Sequence, residues 1–148
     1  MHNPPVNPSL SIITASGATF RAEDTNDPRF YIFATLISGV LRFEVVARLP
    51  TGERSTVSGK EFFAAMMANF GAGVRIIEGT WSRASGLTTN IDQVNRATAA
   101  GLKVKDAAPL TWTGLRASEY GYDKVTVIEE APLGAQGNYD TIRVEFSR

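Results

Sequence analysis

Cysteine is absent from this chain and histidine nearly so: 148 residues contain no Cys and one His, His2. Without thiols there is no thiolate nucleophile, no disulfide framework and no Cys-based zinc site. His2 lies in a proline-rich start, Met1 to Pro8, which reads as a flexible tail. Unless that tail folds back over the body, Ser–His triads, His-pair ribonuclease chemistry and His-ligated metals are excluded. A surplus of one charge is missing too. Lys plus Arg number 15 and Asp plus Glu number 15. A sequence-independent nucleic-acid coat needs a cation for each phosphate it touches, so that class is disfavoured. No run of five like charges occurs, hence no acidic or basic tail. No apolar run approaches the ~20 residues of a membrane helix, so no membrane partner is implied. The first residues lack the basic-then-apolar layout of a secretory signal. Two origins fit: a cytoplasmic protein, or a piece of a longer secreted chain.

The usual catalytic signatures are missing as well. There is no Walker A segment, no dinucleotide-binding glycine fingerprint and no Gly-x-Ser-x-Gly elbow. Three acids in Glu23–Asp27 suggest a calcium loop, but the glycine and terminal glutamate of an EF-hand are absent, and a solvated loop is the default. No metal and no cofactor is implied.

What is there suits one α+β domain over residues 9–148, an antiparallel sheet with about three helices packed on one side. A chain of this length buries roughly 70% of its unfolded surface and needs no staple. Leu10 and Ile12 alternate with serines, Gly17 turns, and Ala18–Ala22 returns. Glu23–Pro28 reads as a polar loop and Phe30–Leu36 as a strand stopped at Ser38-Gly39. From Leu41 to Leu49, apolar and polar residues alternate with period two. Pro50-Thr51-Gly52 turns the chain so that Arg54–Val57 pairs back. Ser58 and Glu61 form a capping box, with Phe62, Phe63, Met66, Met67 and Phe70 as the core stripe and Gly71 as an αL cap. Val74–Ile77 is a short strand, and Gly79–Leu87 a polar loop carrying Trp81. Thr89 or Asn90 caps a helix from Ile91 to Ala100. A broken helical stretch runs from Asp106, through a piece capped by Thr111 or Thr113, to Gly121. Lys124–Ile128 and Tyr139–Phe146 are strands flanking a Pro132–Asn138 loop. Strands and helices do not alternate one by one, which argues against a doubly wound nucleotide fold.

Acid–base work without histidine falls to carboxylates, lysine or tyrosine. Glu145 lies two residues from Arg143 on the polar side of the last strand, and Glu44 stands beside arginines in the same way. Such pairs bind phosphate, or they are surface ion pairs of under ~1 kcal/mol. Trp81 and Trp112 are each flanked by hydroxyl residues. A tryptophan in a polar segment stacks on a base or sugar, or plugs a loop onto the core. Asn90 has a ready use as a cap. Asn95 has none, which marks it as a candidate.

The stretch from Gly79 to the end resembles a C-terminal module of bacterial polymorphic toxins, the effectors of Rhs, haemagglutinin-like and type VI systems. The resemblance rests on Gly79-Thr80-Trp81, Thr89-Asn90-Ile91 with Asn95, and Ala107-Ala108. It continues through Thr111-Trp112-Thr113-Gly114, Gly121-Tyr122, Val125-Thr126-Val127 and Gly137-Asn138-Tyr139, closing on Ile142, Val144 and Phe146. It implies a secreted effector acting in a target-cell cytoplasm, a cognate immunity protein as partner, and a nucleotide or NAD as substrate. Deaminase chemistry is excluded, because its zinc site cannot be built. A histidine-independent nuclease or an NAD-directed enzyme remains. For an ADP-ribosyltransferase the nearest residues are Arg42 or Arg48, Ser55-Thr56, and Glu129 or Glu145.

The expected site lies between the Trp81 loop, the Asn90–Asn95 helix and the Thr111–Thr113 turn. Glu145, Asn95 and Thr113 would be catalytic there. Trp81, Arg83, Asn90, Arg143 and Tyr139 would bind substrate. Two other classes compete. A protein-binding adaptor would bury both tryptophans and show an exposed apolar patch. A small-ligand binder would enclose a cavity between Phe30–Phe33 and the helix from Phe62.

Overall fold

Alternation of side chains builds the first half of the chain. The computed structural model describes residues 7–148; His2 and most of the proline-rich start lie outside them. The described chain forms two compact units, one ending at Val74 and one spanning Arg75–Arg148. The fold is α+β, and the strand ladders within each unit are antiparallel.

The first unit is a meander of β1 (Leu10–Ser16), β2 (Thr19–Asp24), β3 (Asp27–Ile37) and β4 (Val40–Val46), followed by α1 (Gly59–Phe70). Ser38 and Gly39 both have positive φ, 52° and 78°, in the two-residue link between Ile37 and Val40. That is the type I′ geometry whose twist matches the flanking strands. Phe20, Ala22, Phe30, Ile32, Ala34 and Leu41 are buried on one face, where α1 packs. The capping box forms as expected, with Ser58 Oγ accepting from Glu61 N and Glu61 Oε1 from Ser58 N. Phe62, Phe63 and Met66 are fully buried, and the Phe63 ring meets Phe43 edge-on at 5.3 Å. Each contributes about 1.5–3 kcal/mol of burial before entropy is subtracted. Phe30, Ile32 and Phe62 are therefore packed into the core, whereas Tyr31 and Phe33 sit on the outer face.

Three local expectations change. The acidic segment at 23–28 is mostly strand, and only Thr25 and Asn26 make the turn between paired Asp24 and Asp27. Strand β4 stops at Val46, and the chain pairs back through a single bridge, Arg48 to Arg54. Gly71 has φ 56° but ψ −136°, which lies outside αL.

The second unit contains β5 (Ile76–Ser82), α2 (Thr89–Ala99), α3 (Val104–Ala107), α4 (Trp112–Glu119), β6 (Lys124–Ala131) and β7 (Thr141–Ser147). Strand β7 lies between β5 and β6. Ile77, Gly79 and Trp81 share a face with Ile142, Val144 and Phe146, and all six are buried. Trp81 thus belongs to β5 and not to a loop. Glycine at 79 is required by that packing: a Cβ there would lie 2.6 Å from the Trp81 ring. Thr111 caps α4, its Oγ1 accepting from Gly114 N at 3.0 Å.

Candidate functional site

The expected site residues divide between two faces of the second unit. Glu145 and Arg143 project on the outer face of β7, in register with Glu78 and Thr80 of β5. The Arg143 guanidinium bonds Glu78, with Nε and Nη2 each 2.8 Å from Oε1. Glu78 is almost fully buried, so the arginine neutralises it; Glu145 is not its partner. Tyr139, Asn95 and Glu130 belong to the opposite side. Glu130 pairs in register with Ile142, whose side chain is buried in the core.

Asn95, on α2, is buried and doubly bonded. Its Nδ2 donates to the Tyr139 carbonyl at 3.0 Å, and its Oδ1 accepts from the Tyr139 N–H at 2.6 Å. One side-chain amide thus satisfies both backbone groups of a residue at the end of the Pro132–Asn138 loop. Three residues on, Thr98 Oγ1 accepts from Gly137 N at 2.9 Å. Helix α2 therefore pins the loop from the inside. Asn90 does not cap α2, which starts from Thr88 with no side-chain cap. Its Oδ1 accepts from Thr113 N at 2.9 Å, while Gln93 Oε1 accepts from Trp112 N at 2.7 Å. These amides satisfy the open N-terminal groups of α4. Thr113 is buried in the same joint. Arg83 donates to Asn138 Oδ1 at 2.7 Å and lies 3.6 Å from Asp140, tying the end of β5 to the start of β7.

The pinned loop closes one side of a cleft of about 280 Å³ lined by Lys103, Val104, Glu130, Gly134, Gln136 and Tyr139. Tyr139 is buried, and its hydroxyl donates to Glu130 Oε1 at 3.3 Å. Burial first, and then the charge and hydrogen bond of Glu130, push the phenol above its ordinary pKa. Tyr139 is therefore a phenol at neutral pH, a donor and not a base. Lys103 stands at the N-terminal end of α3 with its ammonium exposed. The cleft thus joins a carboxylate, a phenol, an amide and an ammonium beside one apolar residue, Val104. This set can hold a small polar molecule and move a proton.

Of the expected residues, Tyr139 lines the cleft and Asn95 fixes it from behind. Trp81 packs in the core against Phe146, and Asn90 and Thr113 join helices. Glu130, Lys103 and Gln136 were missed. Elsewhere, Ser55 and Thr56 direct their hydroxyls to Asp24, which is buried and also accepts from the Asn26 and Thr56 N–H groups. Burial alone would raise the Asp24 pKa, but these donors bring it down to about 2. Asp27 is bonded to Arg29, so the acidic turn already has protein donors. No group of three or more His, Cys, Asp or Glu placed to hold a metal ion occurs among the described residues. No family model, curated protein or solved structure matches the chain.

Proposed function

We propose that the chain is the enzymatic tip of a secreted bacterial effector of the polymorphic-toxin kind, with its site in the Tyr139 cleft. The observation carrying this reading is the pair of hydrogen bonds between the Asn95 amide and the Tyr139 backbone. It fixes a buried phenol against Glu130 inside a polar cleft, in a chain with no histidine in its body. The resembling stretch, Gly79 to the end, also falls within the compact unit Arg75–Arg148, as expected for a module with its own core. In this reading Glu130 is the carboxylate that acts on substrate and Tyr139 orients it. Lys103 and Gln136 hold polar groups of the substrate, and a cognate immunity protein covers the cleft. The module acts in the cytoplasm of a target cell.

A protein-binding adaptor is the second reading. It is favoured by the burial of Trp81 and by Leu110 and Leu115, 56% and 47% exposed. They occupy the two hydrophobic-staple positions flanking the α4 cap.

Induced expression in bacterial cytoplasm, scored as growth at matched soluble protein, separates the readings. The enzyme reading expects arrest that Glu130→Gln relieves and Glu145→Ala does not. Relief by Glu145→Ala alone would move the site to the outer strand face. Growth unaffected by abundant folded protein would refute the effector reading and favour the adaptor.

A further inference from the structure

Strand β1 is bonded on one side only among the described residues, to β2. Such an edge presents a row of open N–H and C=O groups, and folded proteins usually blunt it with charge. In the second unit β6, bonded to β7, carries Lys124, Glu129 and Glu130. Strand β1 has no such protection. Its sequence LSIITAS holds no charged side chain, and no Asp, Glu, Lys or Arg precedes Arg21. Helix α1 packs on β2, β3 and β4, and the core face runs on past it. Ile12 stands opposite buried Ala22 on that face, yet it is 57% exposed. Ile13 is 52% exposed and has no residue opposite it, because the register with β2 shifts between Ile12 and Thr14.

We infer that β1 is the contact strand of a homodimer, pairing antiparallel with β1 of a second copy about a two-fold axis at the Ile13–Thr14 bulge. The bulge selects the partner. Before it, Ser11 lies on the outer face with Glu23 and Ile12 on the core face; after it, Ala15 lies on the core face with Phe20 and Ser16 on the outer face with Thr19. A regular strand laid along the open side would need a register shift of its own to match both halves. A second β1 running the other way carries the same extra residue in the same place, so no shift is needed. Ile12 then faces Ala15 of the copy on the core side, and Ser11 faces Ser16 on the outer side, twice over by symmetry. No like charges meet across the axis, and the core face of one copy continues into that of the other. The contact lies in the first unit, apart from the Tyr139 cleft, and does not depend on the enzyme reading.

A chain without cysteine makes the test clean, since every disulfide formed is an introduced one. Full-length Ile12→Cys and Ala15→Cys variants are oxidised mildly, each alone and as a mixture, and read by non-reducing electrophoresis. Opposite residues have Cα atoms about 5 Å apart, within disulfide reach. Two copies of either position alone are offset by about three residues, or about 10 Å, beyond that reach. The mixture is therefore expected to cross-link at least about tenfold faster than either variant alone. Sedimentation of the wild type is expected to show 16.0 kDa chains associating to twice that mass and no further. The expected Kd is about 10–100 µM, because a 7-residue edge is small beside a standard interface of about 1,600 Å². Ile12→Lys places on β1 the kind of charge that β6 already has and is expected to raise Kd about tenfold or more. Ile12 is exposed, so the variant keeps its fold, which circular dichroism checks. Wild type that stays monomeric up to about 1 mM overturns the inference, as does assembly past the dimer. Single variants that cross-link as fast as the mixture, or an Ile12→Lys dimer as tight as the wild type, overturn it too.

Discussion

Replacing Asn95 by leucine tests the hydrogen-bond account at its most demanding point. The two side chains are similar in size, so little cavity term arises. What changes is the Tyr139 backbone. Its N–H and C=O, satisfied at 2.6 and 3.0 Å, are left facing apolar atoms in a buried site. A buried polar group without a partner costs about 1–3 kcal/mol. With two such groups the loss is about 4 kcal/mol centrally, a large share of a marginal total of about 5–15 kcal/mol. It would lower Tm by about 8–16 °C in a chain of this size. Urea unfolding, followed by circular dichroism, measures it. Asn95→Asp sharpens the result. A protonated carboxyl can donate to the Tyr139 carbonyl and accept from its N–H, as the amide does; an ionised one cannot donate. Its folded pKa is then raised above the unfolded value. Its stabilising contribution is full below the unfolded pKa, near 4, and falls as pH rises through the folded pKa. The variant should approach wild-type stability under mildly acidic conditions and fall behind at neutral pH. If Asn95→Leu stays within about 0.5 kcal/mol of wild type, the clamp contributes no more than a surface contact and the reasoning fails.

Asp24 gives the opposite pH signature. Its folded pKa of about 2 lies below the ordinary 3.8, so its contribution is present above about pH 4 and is lost as pH falls toward 2. Asp24→Asn should remove that acid sensitivity and cost about 2 kcal/mol at neutral pH, read by urea titrations at several pH values. Trp81→Ala should cost about 3–5 kcal/mol, because the ring is core; a variant with unchanged stability would restore the stacking role to Trp81. Gly114→Ala should destabilise by at least about 1–3 kcal/mol, since its Cβ would lie 2.2 Å from the Ala108 carbonyl oxygen, and thermal melts would show it. Gly17→Ala meets no atom within 4 Å and should suffer only the penalty of its positive φ.

The parts of the fold that sequence displays are those fixed by neighbours along the chain. The Ser58–Glu61 capping box, the Ser38-Gly39 turn and the Thr111 cap each need only three or four residues to form, and each formed. The misreading of Trp81 has a definite cause. Gly79 interrupts the apolar pattern and hydroxyl residues flank the ring, so the segment reads as loop. The alternation was there: Ile77, Gly79 and Trp81 inward, Glu78, Thr80 and Ser82 outward. The glycine is part of the inward face, because the indole covers its missing side chain.

The cleft was hidden for a different reason. Lys103, Glu130 and Tyr139 come from three separated segments, and only tertiary packing brings them together. Glu130 reaches the cleft through a bulge. Uninterrupted alternation from Val125 and Val127 would point Glu129 inward instead. The register of β6 shifts between Val127 and Glu129, so Glu129 pairs with Arg143 on the outer face and Glu130 turns toward Ile142 and the cleft. Bulges re-aim side chains in this way, often beside functional sites. The residues carrying the toxin resemblance acquire a physical meaning from the same comparison. Gly79 makes room for Trp81, Asn90 and Thr111 complete the end of α4, Gly114 admits the Ala108 carbonyl, and Asn95 and Gly137 anchor the loop. They hold the scaffold, whereas Lys103, Glu130 and Gln136, which would meet the substrate, lie outside that pattern. For that reason exchanging Lys103 and Glu130 is the sharper test of substrate, and exchanging Asn95 or Gly114 the sharper test of fold.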